Sequence, residues 1–146
     1  MTHQFRLATG ELLGCAQPFS LRLLTPNPRG LNAILMELAD CAYPVLHEIV
    51  VTDNPWIAFK DVNYSFLVGA KQRRHGMLRR DLLLENAEIF RVQGKALNDV
   101  ANRNVKILVV GNPANTNTLI AMKNAPDLAP ECFSSMAMLD HNRAVG

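Results

Sequence analysis

The chain lacks most of the features that would mark it as secreted, metal-binding or membrane-spanning. Its cysteines, Cys15, Cys41 and Cys132, are odd in number and far apart. They form neither a disulfide framework nor a Cys/His spacing that suits zinc, so no metal site is expected. Reduced thiols in a cytoplasmic protein are the simplest account. No apolar run reaches the roughly 18 residues of a membrane span, and the opening MTHQFRLATG has no apolar stretch of signal-peptide length. An excess of one charge is missing too: 15 Lys and Arg against 13 Asp and Glu leave a formal +2. The basic residues are scattered except at 71–80, which argues against a nucleic-acid surface. Two further absences are local. No acidic residue stands between Glu11 and Glu37, and Met1–Gly14 holds only the glycines Gly10 and Gly14.

What remains is an ordinary globular composition. With 146 residues, 49% of them hydrophobic and 19% charged, the chain has the length of one domain and enough apolar side chains for a sizeable core. It carries no internal repeat and no low-complexity segment.

Strand and helix patterns alternate. Phe19–Leu24 (FSLRLL) is a short apolar run after Pro18 and is expected to be a strand. Leu31–Ala42 sets Leu31, Ile34, Leu35, Leu38, Cys41 and Ala42 at helical spacing, with Pro44 ending the helix. Glu48–Thr52 is rich in β-branched residues, and Asn63–Gly69 is a strand closed by glycine. Arg79–Asn102 is the longest helix: Leu83, Phe90 and Leu97 recur every seven residues, joined on that face by Ile89, Ala96 and Val100. Val105–Val110 is nearly all apolar, as for a parallel strand covered on both faces. Ala114–Asn124 follows as a helix, and Cys132–Leu139 as a last strand. Such alternation predicts an α/β fold with a doubly wound parallel sheet.

Three polar clusters sit at strand ends, where an open α/β sheet binds its ligands. The first is Lys71–Arg79, with Arg73, Arg74 and Arg79, then Arg80, and Gly76 as a hinge. A solvated basic loop is the plain reading; a lid whose guanidinium forks bind carboxylates is the functional one. The second is Val110-Gly111-Asn112-Pro113-Ala114-Asn115-Thr116-Asn117. Gly, Asn and Pro punctuate strand ends in many proteins, so the Gly-Asn-Pro step alone is weak. The third is Asp140-His141-Asn142-Arg143, which without context reads as a charged helix start with Asp140 as N-cap.

Taken together, the string VVGNPANTN, the arginine-rich loop with its glycine-methionine step and the Asp–Arg pair resemble the malate dehydrogenases of cytosolic type, within the lactate/malate dehydrogenase family. The resemblance implies reversible hydride transfer between (S)-malate and NAD, giving oxaloacetate. By the same resemblance Arg73 grips the distal carboxylate, Arg79 polarises the keto oxygen, Asn112 hydrogen-bonds substrate and Arg143 clamps the carboxylate beside the reacting carbon. Asp140 would orient and charge a catalytic histidine, which is not His141 but comes from a later segment. Val110, Gly111 and Asn112 would line the nicotinamide-ribose side, with Asn86 and Gln93 helping to bind the dinucleotide. Gln72 and Leu78 stand where cytosolic-type members usually carry proline and glutamate. A lactate dehydrogenase is the nearer rival enzyme, but a monocarboxylate needs no guanidinium at Arg73.

The resemblance covers the middle of the family's sequence. Residues 1–146 are expected to be a partial, Rossmann-type NAD-binding domain, with the substrate region starting at about 139–146. The glycine-rich pyrophosphate turn, its central first strand, the ribose-anchoring acid and the proton-relay histidine find no counterpart here. In the strand order 3-2-1-4-5-6, loss of the first strand predicts two half-sheets, Phe19–Leu24 with Glu48–Thr52, and Asn63–Gly69 with Val105–Val110 and Cys132–Leu139. The chain alone is therefore expected to be inactive, and a non-catalytic fragment or pseudoenzyme that binds a full-length homologue is the rival reading of a different class. A homodimer using the helix at 31–42 is what the family implies. In the turn, Asn112-Pro113 is expected to be a cis peptide.

Overall fold

The computed structural model describes residues 3–14, 16–71, 76, 78–137, 142, 144 and 145, and only the backbone of His3, Gln4, Phe5 and Arg79. The chain divides into two compact units, Met1–Ala58 and Phe59–Gly146.

In the first unit, helix α1 (His3–Ala8) runs into turns at Gly10 and Gly14. Both glycines have φ near +85°, where a side chain is strained. Strands β1 (Phe19–Leu24) and β2 (Leu46–Thr52) pair in parallel, from Phe19 against Leu46 to Leu24 against Thr52. Between them lie a 3-10 turn at Pro28–Leu31 and helix α2 (Asn32–Asp40). The helix stops two residues before the expected Ala42, because Ala42 takes a left-handed φ of 45° on the approach to Pro44. Leu38 is the side chain α2 buries.

A short helix that the periodicity does not reveal, α3 (Pro55–Ala58), follows β2. Its start is capped by Asn54, whose Oδ1 accepts from Trp56 N at 2.9 Å, with Pro55 at the first helical position.

The second unit holds strands β3 (Tyr64–Leu67), β4 (Lys106–Val109) and β5 (Phe133–Ser135), all parallel, in the order β3-β4-β5. Helices α4 (Arg79–Val100) and α5 (Ala114–Lys123) pack on each other, and α5 packs on β4 and β5. Phe90, Ala96, Leu97, Val105, Ile107, Val109 and Ala121 form the core.

Contact between the two helices is close enough to require glycine. A Cβ on the buried Gly94 would stand 2.5 Å from Ala121 O and 3.0 Å from Ala121 Cα. Three expectations are corrected here. Leu83, assigned to the inner face of α4, is exposed, since the turn that carries it precedes the packed stretch from Asn86 onward. In β4, Ile107 and Val109 are buried while Leu108 is only half so, which means one face of the strand is fully covered rather than both. The last strand is also shorter than predicted, ending at Ser135.

The fold class is therefore α/β with parallel sheets, and the described strands form the two half-sheets predicted from the sequence. Along β3, Tyr64 and Phe66 are exposed while Ser65 and Leu67 are buried, the period of two expected when one face meets the core. Among the described residues no helix is long and apolar enough to cross a membrane.

Candidate active site

The site is built where β3 and β4 end side by side. Parallel pairing carries the two strands to a common end, and there Val110 N and Gly111 N both donate to Leu67 O, at 3.0 and 3.1 Å. Gly111 is buried under the segment that leaves β3. A Cβ there would meet Phe90 Cζ at 3.0 Å, Ala70 Cβ at 3.2 Å and Val68 O at 3.4 Å, so the turn can pass this point only as glycine or with its neighbours displaced.

Asn112 and Pro113 then emerge to the surface, joined by a cis peptide as expected from the sequence. Pro113 is the N-cap of α5 in extended conformation and offers no side-chain acceptor. Its carbonyl instead accepts Asn117 N at 3.0 Å, the first bond of the helix. Asn117 also turns its side chain back, and Nδ2 donates to Gly111 O at 2.9 Å.

The first turn of α5 is tied to the end of β5 by Ser135 Oγ donating to Asn115 Oδ1 at 2.8 Å, and β5 is continued past its end by Met136 N donating to Val109 O at 2.9 Å. Together these leave an open cleft of about 230 Å³ lined by Asn112, Pro113, Ala114, Asn115, Thr116, Met136 and Ala137. The cleft lies at the N-terminal end of α5, whose first turn carries no acidic side chain. Unpaired N–H groups and the helix dipole make such a place favourable to an anion.

Of the two helix residues assigned to the dinucleotide, Asn86 is fully buried and already engaged. Its Oδ1 accepts Lys71 N at 2.8 Å and its Nδ2 donates to Lys71 O at 3.3 Å. The side chain thus fastens the chain where the basic loop begins, a role invisible in the sequence. Lys71 Nζ adds an exposed ion pair with Glu85 at 3.0 Å, which contributes little to stability. Gln93, two helical turns on, is half-buried and keeps an Oε1 with no hydrogen-bond partner.

Val110, Gly111 and Asn112 are brought together in the turn. Arg79 is the first residue of α4, its side chain outside the described residues. Arg73, Asp140, His141 and Arg143 lie outside the described residues altogether.

An NAD molecule fits this framework in part. In the second unit the exposed turn after β4 suits the nicotinamide side, whereas Gln93 Oε1 is buried. Within the first unit, β1 runs through Leu24 into Thr25 and Pro26 with no carboxylate of the kind that anchors a ribose diol. Among the described residues no group of three or more His, Cys, Asp or Glu is gathered to hold a metal. Cys41 and Cys132 are free thiols.

Comparison with known proteins agrees with this geometry. The sequence profile of the lactate/malate dehydrogenase, NAD binding domain, matches residues 3–134. The structure resembles malate dehydrogenase from Naegleria fowleri, with 45% sequence identity and a TM-score of 0.89, covering 97% of this chain and 44% of that one. It also resembles two structures of lactate dehydrogenase from Trichomonas vaginalis. One is an apo variant at 47% identity and TM-score 0.87. The other is a complex with NADH and oxamate at 45% identity and TM-score 0.83. Each match covers 94% of this chain and 42% of the relative, so the chain spans less than half the length of these proteins.

Proposed function

The chain belongs to the lactate/malate dehydrogenase family, and on that premise we propose that it forms the nicotinamide-side and substrate-side half of a site for reversible hydride transfer between (S)-malate and oxaloacetate. The observation that carries this reading is the turn Gly111-Asn112-Pro113. It stands at the C-terminal ends of two parallel strands, with the Asn112 amide exposed beside a cleft at a helix N-terminus.

NAD, when bound, supplies or accepts the hydride. The chain's own residues bind and orient the 2-oxo acid. The Asn112 amide donates to the substrate, and Arg143 pairs with the carboxylate next to the reacting carbon. Arg79 draws electron density from the keto oxygen, and Arg73 takes the distal carboxylate. Asp140 orients a histidine supplied by another segment. Arg73 is what favours malate over lactate, since a monocarboxylate leaves its guanidinium without a counter-charge. A cytoplasmic location accords with free thiols, and a homodimer through α2 follows from the family reading.

A second reading is favoured by one observation. The described cleft lining is amide, hydroxyl and apolar, with no titratable group to donate a proton to the keto oxygen. Reduction of a ketone needs a proton as well as a hydride, and general acid catalysis is typically worth about 10²–10⁴-fold. On this reading the chain is a binding element without turnover of its own, complemented by a longer homologue.

An NADH-absorbance assay with oxaloacetate and with pyruvate separates these readings. The expected result for the chain alone is a rate at background with either acid. Turnover with oxaloacetate that is lost in Arg143→Ala would overturn the non-catalytic reading, and equal turnover with pyruvate would overturn the assignment to malate.

A further inference from the structure

Among the described residues the buried polar side chains are Ser65, Asn86 and Asn117. Asn117 is fully buried in the first turns of α5 and reaches back over six residues to Gly111 O. We propose that Asn117 is a positioning residue for Asn112: by holding the Gly111 carbonyl it sets the direction in which the Asn112 side chain is presented to a 2-oxo acid. The inference deepens the proposed function and rests on the reading that Asn112 meets the substrate.

The argument is one of peptide planes. Gly111 O belongs to the rigid plane that joins Gly111 to Asn112, so fixing that oxygen fixes the plane and the Asn112 Cα with it. The other face of the residue is fixed as well, because Gly111 N donates to Leu67 O at 3.1 Å. Glycine is the residue whose backbone would otherwise vary most, and here both its polar groups are held. Pro113, the N-cap, has no side-chain acceptor and no N–H, and its carbonyl is taken by Asn117 N, so it offers nothing that could hold the Gly111 carbonyl. The bond comes instead from the opposite wall, a helix residue that never reaches the surface.

Asn117 Oδ1 is buried without a partner. The amide is therefore kept at the cost of one unsatisfied acceptor, as expected if its donor end has a task and its acceptor end has none.

Three variants of the chain test this by amide hydrogen exchange. Asn117→Leu is nearly isosteric; it leaves the Gly111 carbonyl without its donor but also removes the unsatisfied Asn117 oxygen, and because the two changes oppose each other the global unfolding transition should fall only modestly. The Gly111 amide should exchange about tenfold faster, while the amides of Ile107–Val109 keep their protection. Asn117→Asp offers a carboxyl that can donate to Gly111 O only when protonated. After correction for intrinsic exchange, its Gly111 amide should be fast at high pH and regain protection as pH falls. This pH profile decides the matter even if Asn117→Leu fails to fold. Asn124→Ala, on the same helix, removes an amide bonded to Ile120 O and should leave Gly111 unchanged.

The side-chain amide signal of Asn112 in ¹⁵N–¹H spectra gives the functional arm. Malate should shift it in wild type and in Asn124→Ala, with about tenfold more malate needed in Asn117→Leu. Gly111 exchange that is unchanged in Asn117→Leu and Asn117→Asp, or that rises in step with Ile107–Val109, would overturn the proposal. If malate leaves the Asn112 signal of wild type unmoved, the substrate reading fails, while Gly111 exchange still decides the clasp.

Discussion

Substituting Gly94 by alanine adds one methyl group at the tightest point of the second unit. That methyl would lie 2.5 Å from Ala121 O, whereas ordinary contact begins at 3.4 Å, so α4 and α5 must separate by roughly 1 Å. The blocking atoms are main chain and cannot rotate aside. Overpacking of this kind costs about 1–3 kcal/mol, and the upper end applies where backbone meets backbone. Alanine's better helix propensity gives back about 1 kcal/mol. The net destabilisation is then about 2 kcal/mol, or a fall in Tm of about 8–16 °C for a unit of this size. Thermal unfolding followed by circular dichroism measures it directly. Gly69→Ala is the control, because a Cβ at Gly69 meets nothing within 4 Å and its Tm should barely move. A Gly94→Ala protein that melts at or above wild type would refute the claim that helix contact, and not chain flexibility, demands glycine here.

Loss of the Asn86 clasp in Asn86→Ala should destabilise the chain by about 2 kcal/mol and speed tryptic cleavage after Lys71 at least tenfold relative to cleavage after Lys106 within β4. Asn98→Ala breaks a reciprocal pair with Asp127, in which Asn98 Nδ2 donates to Asp127 Oδ2 and Asp127 N donates to Asn98 Oδ1, both at 2.9 Å; about 1 kcal/mol and a fall of about 4–8 °C in Tm are expected. Hydrogen bonding from Arg91 holds the Glu88 carboxyl below its ordinary range, so its contribution is present above the ordinary carboxylate pKa and fades as pH falls through the lowered value. Because the pair is fully exposed, Glu88→Gln should change the acid limb of a pH–stability curve only slightly, in the direction of less stability at neutral pH.

Most of the fold could be read from the sequence because its elements obey simple periods. β1, β3 and β4 lie where β-rich runs meet Pro or Gly, and α4 follows the spacing of Phe90 and Leu97. The misreadings have local physical causes. Ala42 continues the apolar helical pattern of α2 but adopts a left-handed conformation before Pro44, so pattern and backbone disagree there. Helix α3 is a single turn, too short to display a period, although Asn54-Pro55 announces its start. Leu83 keeps the seven-residue spacing of Phe90 and Leu97 yet is exposed. Spacing identifies the face of a helix but not how far along its length the core extends.

The candidate site was legible to a different degree, and the asparagines explain why. Asn86, Asn112 and Asn117 carry the same side chain in the same neighbourhood, and in the sequence each is equally available to a ligand. Burial separates them. Asn112 is exposed at the cleft, whereas Asn86 and Asn117 are fully enclosed and bonded to Lys71 and Gly111. Their partners are main-chain groups of glycine and lysine, whose identity carries no trace of the bond, at separations of 15 and six residues that reach outside the helix carrying each asparagine. A motif can therefore point to the exposed residue proposed to meet the substrate while hiding the buried residues bonded to the backbone around it. Asn86, which the resemblance assigns to the dinucleotide, directs its side-chain amide to the Lys71 backbone. The two bonds that Asn86 makes to the Lys71 backbone would have to be broken before its amide could serve a ligand, and that cost favours the clasp.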